Sequence, residues 1–65
     1  VRRDAAEIGV AMIELAIDLC RSNAEITDAL SINRRLINEI GRSHRDLWDR
    51  MAAYTIRRRE DLLGH

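Results

Sequence analysis

The apolar positions between Asp4 and Arg21 fall into two helical rows, Ile8, Met12, Leu15 and Leu19 in one and Val10, Ile13, Ile17 and Cys20 in the other, which predicts a first helix over residues 4–21. Its polar positions Asp4, Glu7, Glu14, Asp18 and Arg21, with Ala11 filling the gap, repeat by three and four and form one narrow stripe. More than half of the circumference is therefore apolar, and a helix of that kind is buried on more than one side. Ser22-Asn23-Ala24-Glu25 has the spacing of a capping box, so a second helix is expected to start there. Along it Ile26, Ala29, Leu30, Ile37 and Ile40 form a seam, with Asn33 in its middle and Ile32 and Leu36 widening it. Gly41 follows, and Ser43-His44-Arg45-Asp46 offers another cap ahead of a third helix over about residues 44–63. Its apolar residues are Leu47, Trp48, Met51, Ala52, Tyr54, Ile56, Leu62 and Leu63.

A second arrangement fits the same pattern. Positions 26, 30, 33, 37, 40, 44, 47, 51 and 54 step by four and three straight through Gly41, as the seam of one continuous long helix would. A lone glycine costs only about 1 kcal/mol in a helix interior. The expected fold is all-α, one small domain over residues 1–65. Two or three helices form a short bundle or a helical hairpin, the first packed on the second and the whole completed by dimerisation or a partner chain.

Composition sharpens this reading. Sixty-five residues with no proline and three glycines leave little material for turns, and 3% aromatics give β-structure little support. A chain this short buries only about 60% of the surface it exposes when unfolded, so the first helix has few neighbours to cover it. Ile8, Met12, Ile13, Leu15, Ile17 and Leu19 are accordingly the expected protein interface. Burying them is worth on the order of 1.5–3 kcal/mol each, enough to make association obligatory and the isolated monomer marginal. On that reading Leu15→Asp or Met12→Asp dissociates and unfolds the chain together.

Charge adds a polarity. The eleven basic residues balance eleven acids and are all Arg, which fits either codon bias or selection for bidentate contacts. Residues 1–28 nonetheless carry three Arg against six acids, and residues 29–65 eight Arg against five. A molecule with an acidic and a basic half can associate with itself head to tail or offer the basic half to phosphates. The single Cys20 sits among apolar residues and reads as a core side chain in a reducing compartment. Arg2, Arg3 and Asp4 precede a run broken by Glu7, Glu14 and Asp18, so no signal peptide is visible. The uncharged window Ile8–Ile13 falls far short of the roughly 20 residues of a membrane span. A cytoplasmic location and no membrane partner are expected, although a chain beginning at Val1 is also consistent with a processed protein, a fragment or an alternative start codon.

The segment from Glu25 to Ile40 resembles a helix-turn-helix DNA-binding motif, with apolar residues at Ile26, Leu30, Ile32, Ile37 and Ile40. The resemblance implies that Asn33 caps a recognition helix from which Arg34, Arg35, Asn38 and Arg42 read the major groove, Arg on guanine and Asn on adenine. Two positions depart from the pattern. Thr27 stands where such motifs usually carry Ala, and Ser31 where they carry a Gly of positive φ. The same apolar positions equally suit the inner face of an uninterrupted helix, and a net charge of zero does not favour phosphate binding. Asp28-Ala29-Leu30 with Asn33-Arg34-Arg35-Leu36 is similar to a segment of the small helical regulators of flagellin synthesis of alphaproteobacteria. The rest of those proteins has no evident counterpart here, and no residue role is carried over.

Other candidate sites are sparse. Asn33 is read either as a buried pairing residue at a helix seam or as a seam-edge side chain bonded to water or backbone. Arg57-Arg58-Arg59 is read as a solvated helix end complementing the helix dipole, or as a grip for phosphates or an acidic partner. His44, His65 and Cys20 have no ligand spacing, and there is no loop architecture on which to hold a base next to Cys20 or a serine. No catalytic set, metal, cofactor or small-molecule substrate is expected. The expected function is a non-catalytic helical interaction module, as a homodimer or a small subunit of a larger assembly; the alternative is a DNA-binding regulator.

Overall fold

The structure, a computed structural model, describes residues 2–64. Val1 and His65, the latter expected to be a terminal residue with no ligating role, lie outside them. The described residues form four helices, α1 (Arg3–Leu19), α2 (Asn23–Ile32), α3 (Arg34–Ser43) and α4 (Arg45–Leu63). The all-α class is as expected. The count exceeds the two or three expected because the middle of the chain breaks at Asn33 as well as at His44.

The two breaks differ physically. At Asn33 the backbone hydrogen bonds continue on either side, Asn33 N–H donating to the Ala29 carbonyl and Ile37 N–H to the Asn33 carbonyl, while the torsions drift to φ −96° and ψ 11°. Helices α2 and α3 are thus one arm with a kink. At His44 the torsions reach φ −142° and ψ 77°, which ends α3. The continuous helix from 23 to 63 is ruled out, yet the seam that suggested it holds: Ile26, Ile40, Leu47 and Met51 are buried, and Leu30, Ile37 and Tyr54 pack partly against them. Folding back at His44 lets both halves of the seam face α1 and each other.

Polar contacts fix the direction of the helices. Arg3 pairs with Asp46, Glu14 with Arg50, and Arg58 reaches the carbonyls of Asp18 and Cys20. Positions on α1 and α4 advance together, so these helices run parallel and the α2–α3 arm returns between them. Contrary to expectation, the main partner of α1 is α4 rather than the helix that follows it. The middle arm reaches α1 where Gly9 lets Leu36 Cδ2 and Ile40 Cδ1 come within 3.3 and 3.5 Å of the place a Cβ would occupy.

Local signals explain the ends. Ser22 Oγ accepts from Glu25 N–H at 3.2 Å, the cap expected of it, whereas the Glu25 carboxylate accepts from Arg21 N–H and not from the cap residue. Ser43 does not cap α4; its hydroxyl donates to the Glu39 carbonyl within α3. Arg58 Nη2 donates at 2.8 Å to the carbonyl of Cys20, where ψ 141° terminates α1. A cation on carbonyls at a helix end is a favourable C-terminal cap. Cys20 is buried, as expected of a core residue, with its thiol on the Ala16 carbonyl.

Candidate interaction surface

Helix α1 explains the surface. Ala6, Val10, Ile13 and Ile17 step by four, three and four, and so do Ile8, Met12, Leu15 and Leu19. An offset of two residues turns the second row roughly 160° from the first about the helix axis. One chain buries one row. Ile13 and Ile17 are 3% and 0% exposed inside the molecule's own core, which corrects their assignment to an interface between proteins. Ile8, Met12, Leu15 and Leu19 stay 60 to 74% exposed on the far side of α1, with no covering element. Met12 and Leu15 therefore play no part in the intrachain core, and the expected coupling of dissociation to unfolding at these positions loses its basis.

The polar stripe between the two rows is engaged by α4. Arg50 forks onto Glu14, with Nη2 to Oε1 at 3.0 Å, and Tyr54 donates its phenolic hydrogen to Asp18. That hydrogen bond above all, with burial and the Asp18 charge adding to it, raises the Tyr54 pKa above its ordinary value. Arg3 grips Asp46 with both terminal nitrogens, at 3.2 and 2.6 Å, and this bond holds the Asp46 carboxyl below its usual range. Part of the charge polarity in the sequence is thus spent within the fold. Arg58 and Arg59 are also engaged, Arg59 on Asn23 and on Thr27 Oγ1, so the Arg57-Arg58-Arg59 cluster is no open anion grip.

A second unfilled surface lies on the side of the α2–α3 arm and α4 away from α1. A groove of about 490 Å³ runs between them, and no α1 residue lines it. Leu30 and Ile37 form one wall, and Trp48, Met51, Ala52 and Ile56 the other. Trp48, Ala52 and Ile56 repeat by four beside the buried row of Leu47, Met51 and Thr55, so α4 is apolar over a wider arc than one contact seam needs. That excess width was the sequence signal for the groove, visible only once α1 is known to occupy the other side. Arg34 stands exposed at the groove edge and joins no ion pair among the described residues. The Trp48 ring lies against Gly41, where a Cβ would be 2.9 Å from Cδ1, and carries the Arg45 guanidinium 4.3 Å above its centre.

The four residues of the DNA-binding alternative, Arg34, Arg35, Asn38 and Arg42, are exposed and share a polar concavity on α3 with Glu39. Their surroundings depart from the motif. Ser31 lies inside α2, and no described residue has positive φ, so the sharp turn is replaced by the kink. Asn33 does not cap α3 with its side chain; Nδ2 donates instead to the Ala29 carbonyl in the last turn of α2 at 2.8 Å. That bond to backbone is in line with the seam-edge reading.

Among the described residues no three His, Cys, Asp or Glu side chains stand together as metal ligands. No described helix is long and apolar enough to cross a membrane. No family model, curated protein or solved structure matches the chain.

Proposed function

We propose that this chain is a non-catalytic helical interaction module that associates through the exposed row of α1, with a second copy of itself or as a small subunit of a larger protein. The observation that carries the reading is the set Ile8, Met12, Leu15 and Leu19, four large apolar side chains at coiled-coil spacing facing solvent on an ordered helix. Covering their exposed parts is worth about 4–8 kcal/mol at 1.5–3 kcal/mol per fully buried side chain. Association costs about 4–15 kcal/mol in lost freedom and side-chain ordering. The row alone therefore gives weak, reversible binding, and a tight complex needs an apolar counter-surface as well.

Sedimentation over a concentration series tests this. The wild-type chain should rise above monomer mass, and Leu15→Glu should hold it at monomer mass with its helical circular dichroism intact. A wild-type chain that stays monomeric at the highest concentration reached would defeat the self-association reading.

A second reading, nucleic-acid binding, is supported by the exposed cluster of Arg34, Arg35, Asn38 and Arg42 on α3. It calls for a salt-sensitive mobility shift of duplex DNA that Arg35→Ala with Arg42→Ala abolishes without changing the melting curve. No shift at low salt removes this reading.

A further inference from the structure

We infer that the counter-surface for the α1 row is the groove between the α2–α3 arm and α4 of a second copy, so that copies join head to tail, ridge into groove. This rests on the proposal that α1 is a self-association surface, and it names what α1 meets. Three observations carry it. First, the two surfaces are complementary in shape: the row is a convex ridge on one helix, and the groove is a concavity between two antiparallel helical arms. A helix laid there makes the fourth member of a bundle of which one chain supplies three arms.

Second, the lengths are compatible. The α4 wall from Trp48 to Ile56 rises about 12 Å and the row from Ile8 to Leu19 about 16 Å, so the groove takes two of the ridge's three turns and leaves one turn beyond its end.

Third, charge favours this pairing over two ridges facing each other. The exposed row is flanked by Asp4, Glu7 and Asp18; Glu7 already pairs with Arg3 and Asp18 accepts from Tyr54, whereas Asp4 joins no ion pair among the described residues. Ridge against ridge sets these acids against their own copies, which is repulsive. Ridge against groove sets them beside Arg34, the charged residue that lines the groove and joins no ion pair among the described residues. Both surfaces are free on one chain because they lie on opposite sides of the α2–α3 and α4 layer. Such a heterologous contact extends to a ring or an open chain of copies and does not stop at an isologous pair.

The test is complementation between two defective chains. Leu15→Glu removes the ridge and leaves the groove; Ile56→Glu, at a side chain 58% exposed, blocks the groove and leaves the ridge. Each variant alone should sediment as a monomer, and an equimolar mixture should recover complexes of twice the monomer mass. Arg34→Glu should weaken wild-type association several-fold at low salt, and the difference from wild type should shrink as salt rises. Should Ile56→Glu associate as well as wild type, or the mixture stay monomeric while wild type associates, the ridge-into-groove pairing is wrong and the α1 proposal survives with a different counter-surface. A wild-type chain that never associates removes both. Ala52→Glu, on the same wall, checks that a lost complex at Ile56 reflects the groove and not that one position.

Discussion

Leu15 and Ile17 stand two residues apart on α1, and truncating either to alanine deletes the same number of carbon atoms, yet the structure assigns them opposite consequences. Ile17 is wholly buried among Val10, Ile13, Ile26 and Ile40, so Ile17→Ala leaves a cavity in the only core the described chain has. Truncations of that kind cost about 2–5 kcal/mol. A domain of this length holds only about 3–10 kcal/mol in total. At roughly 4–8 °C per kcal/mol, the midpoint should fall by at least about 8 °C, or the transition should vanish. Leu15→Ala removes atoms that already face water and places the best helix former at an exposed site, so the change should stay within about 0.5 kcal/mol. Thermal and urea melts followed by circular dichroism, at a concentration low enough to keep the chain monomeric, measure both. At high concentration Leu15→Ala should also lose whatever rise in midpoint the wild type gains from association. Equal losses from the two truncations in dilute solution, or a larger one from Leu15→Ala, would refute the division of α1 into a core row and a surface row.

Other expectations follow from single contacts. Gly41→Ala should gain none of the usual stabilisation of about 1 kcal/mol, because the new methyl meets the Trp48 ring; in a Trp48→Ala background the gain should appear, and a double-mutant cycle reads the difference. Arg58→Met strips the carbonyls of Asp18 and Cys20 of their donor and should cost about 1–3 kcal/mol in a urea melt. Because the Tyr54 pKa is raised in the folded chain, its contribution is full below the ordinary tyrosine value and disappears as pH rises through the folded value; Tyr54→Phe should flatten that alkaline loss in a pH series of melts. The Asp46 carboxyl is lowered, so its contribution is present above the ordinary carboxylate value and is lost as pH falls through the folded one, a dependence Asp46→Asn should remove.

The candidate surface was half legible. Spacing placed Ile8, Met12, Leu15 and Leu19 together, and they are together; it also enrolled Ile13 and Ile17, which belong to the opposite row. The groove escaped notice because its wall residues, Leu30, Ile37, Trp48, Met51 and Ile56, look like ordinary core positions until the neighbours of α4 are known. Arg58 and Arg59 were read as a solvated basic helix end, but they lie before the last turn of α4 and are half-buried; their use as donors to the α1–α2 connection depends on α1 and α4 running parallel, which residue order alone does not state.

What the residues dictate by themselves is local. The cap at Ser22, the helical periods of all four segments and the inward seam from Ile26 to Met51 follow from short-range hydrogen bonding and from the 3.6-residue turn. Tertiary packing decided the rest: where the long seam breaks, that α4 rather than α2 lies along α1, and which of two apolar rows goes inside. The physical reason is that two rows of the same spacing on one helix both favour burial, and the row left outside is the bulkier one, so hydrophobicity read along the helix does not select the inner row. The smaller row Ala6, Val10, Ile13 and Ile17 lies where the chain folds back, with Glu14 and Asp18 beside it meeting Arg50 and Tyr54.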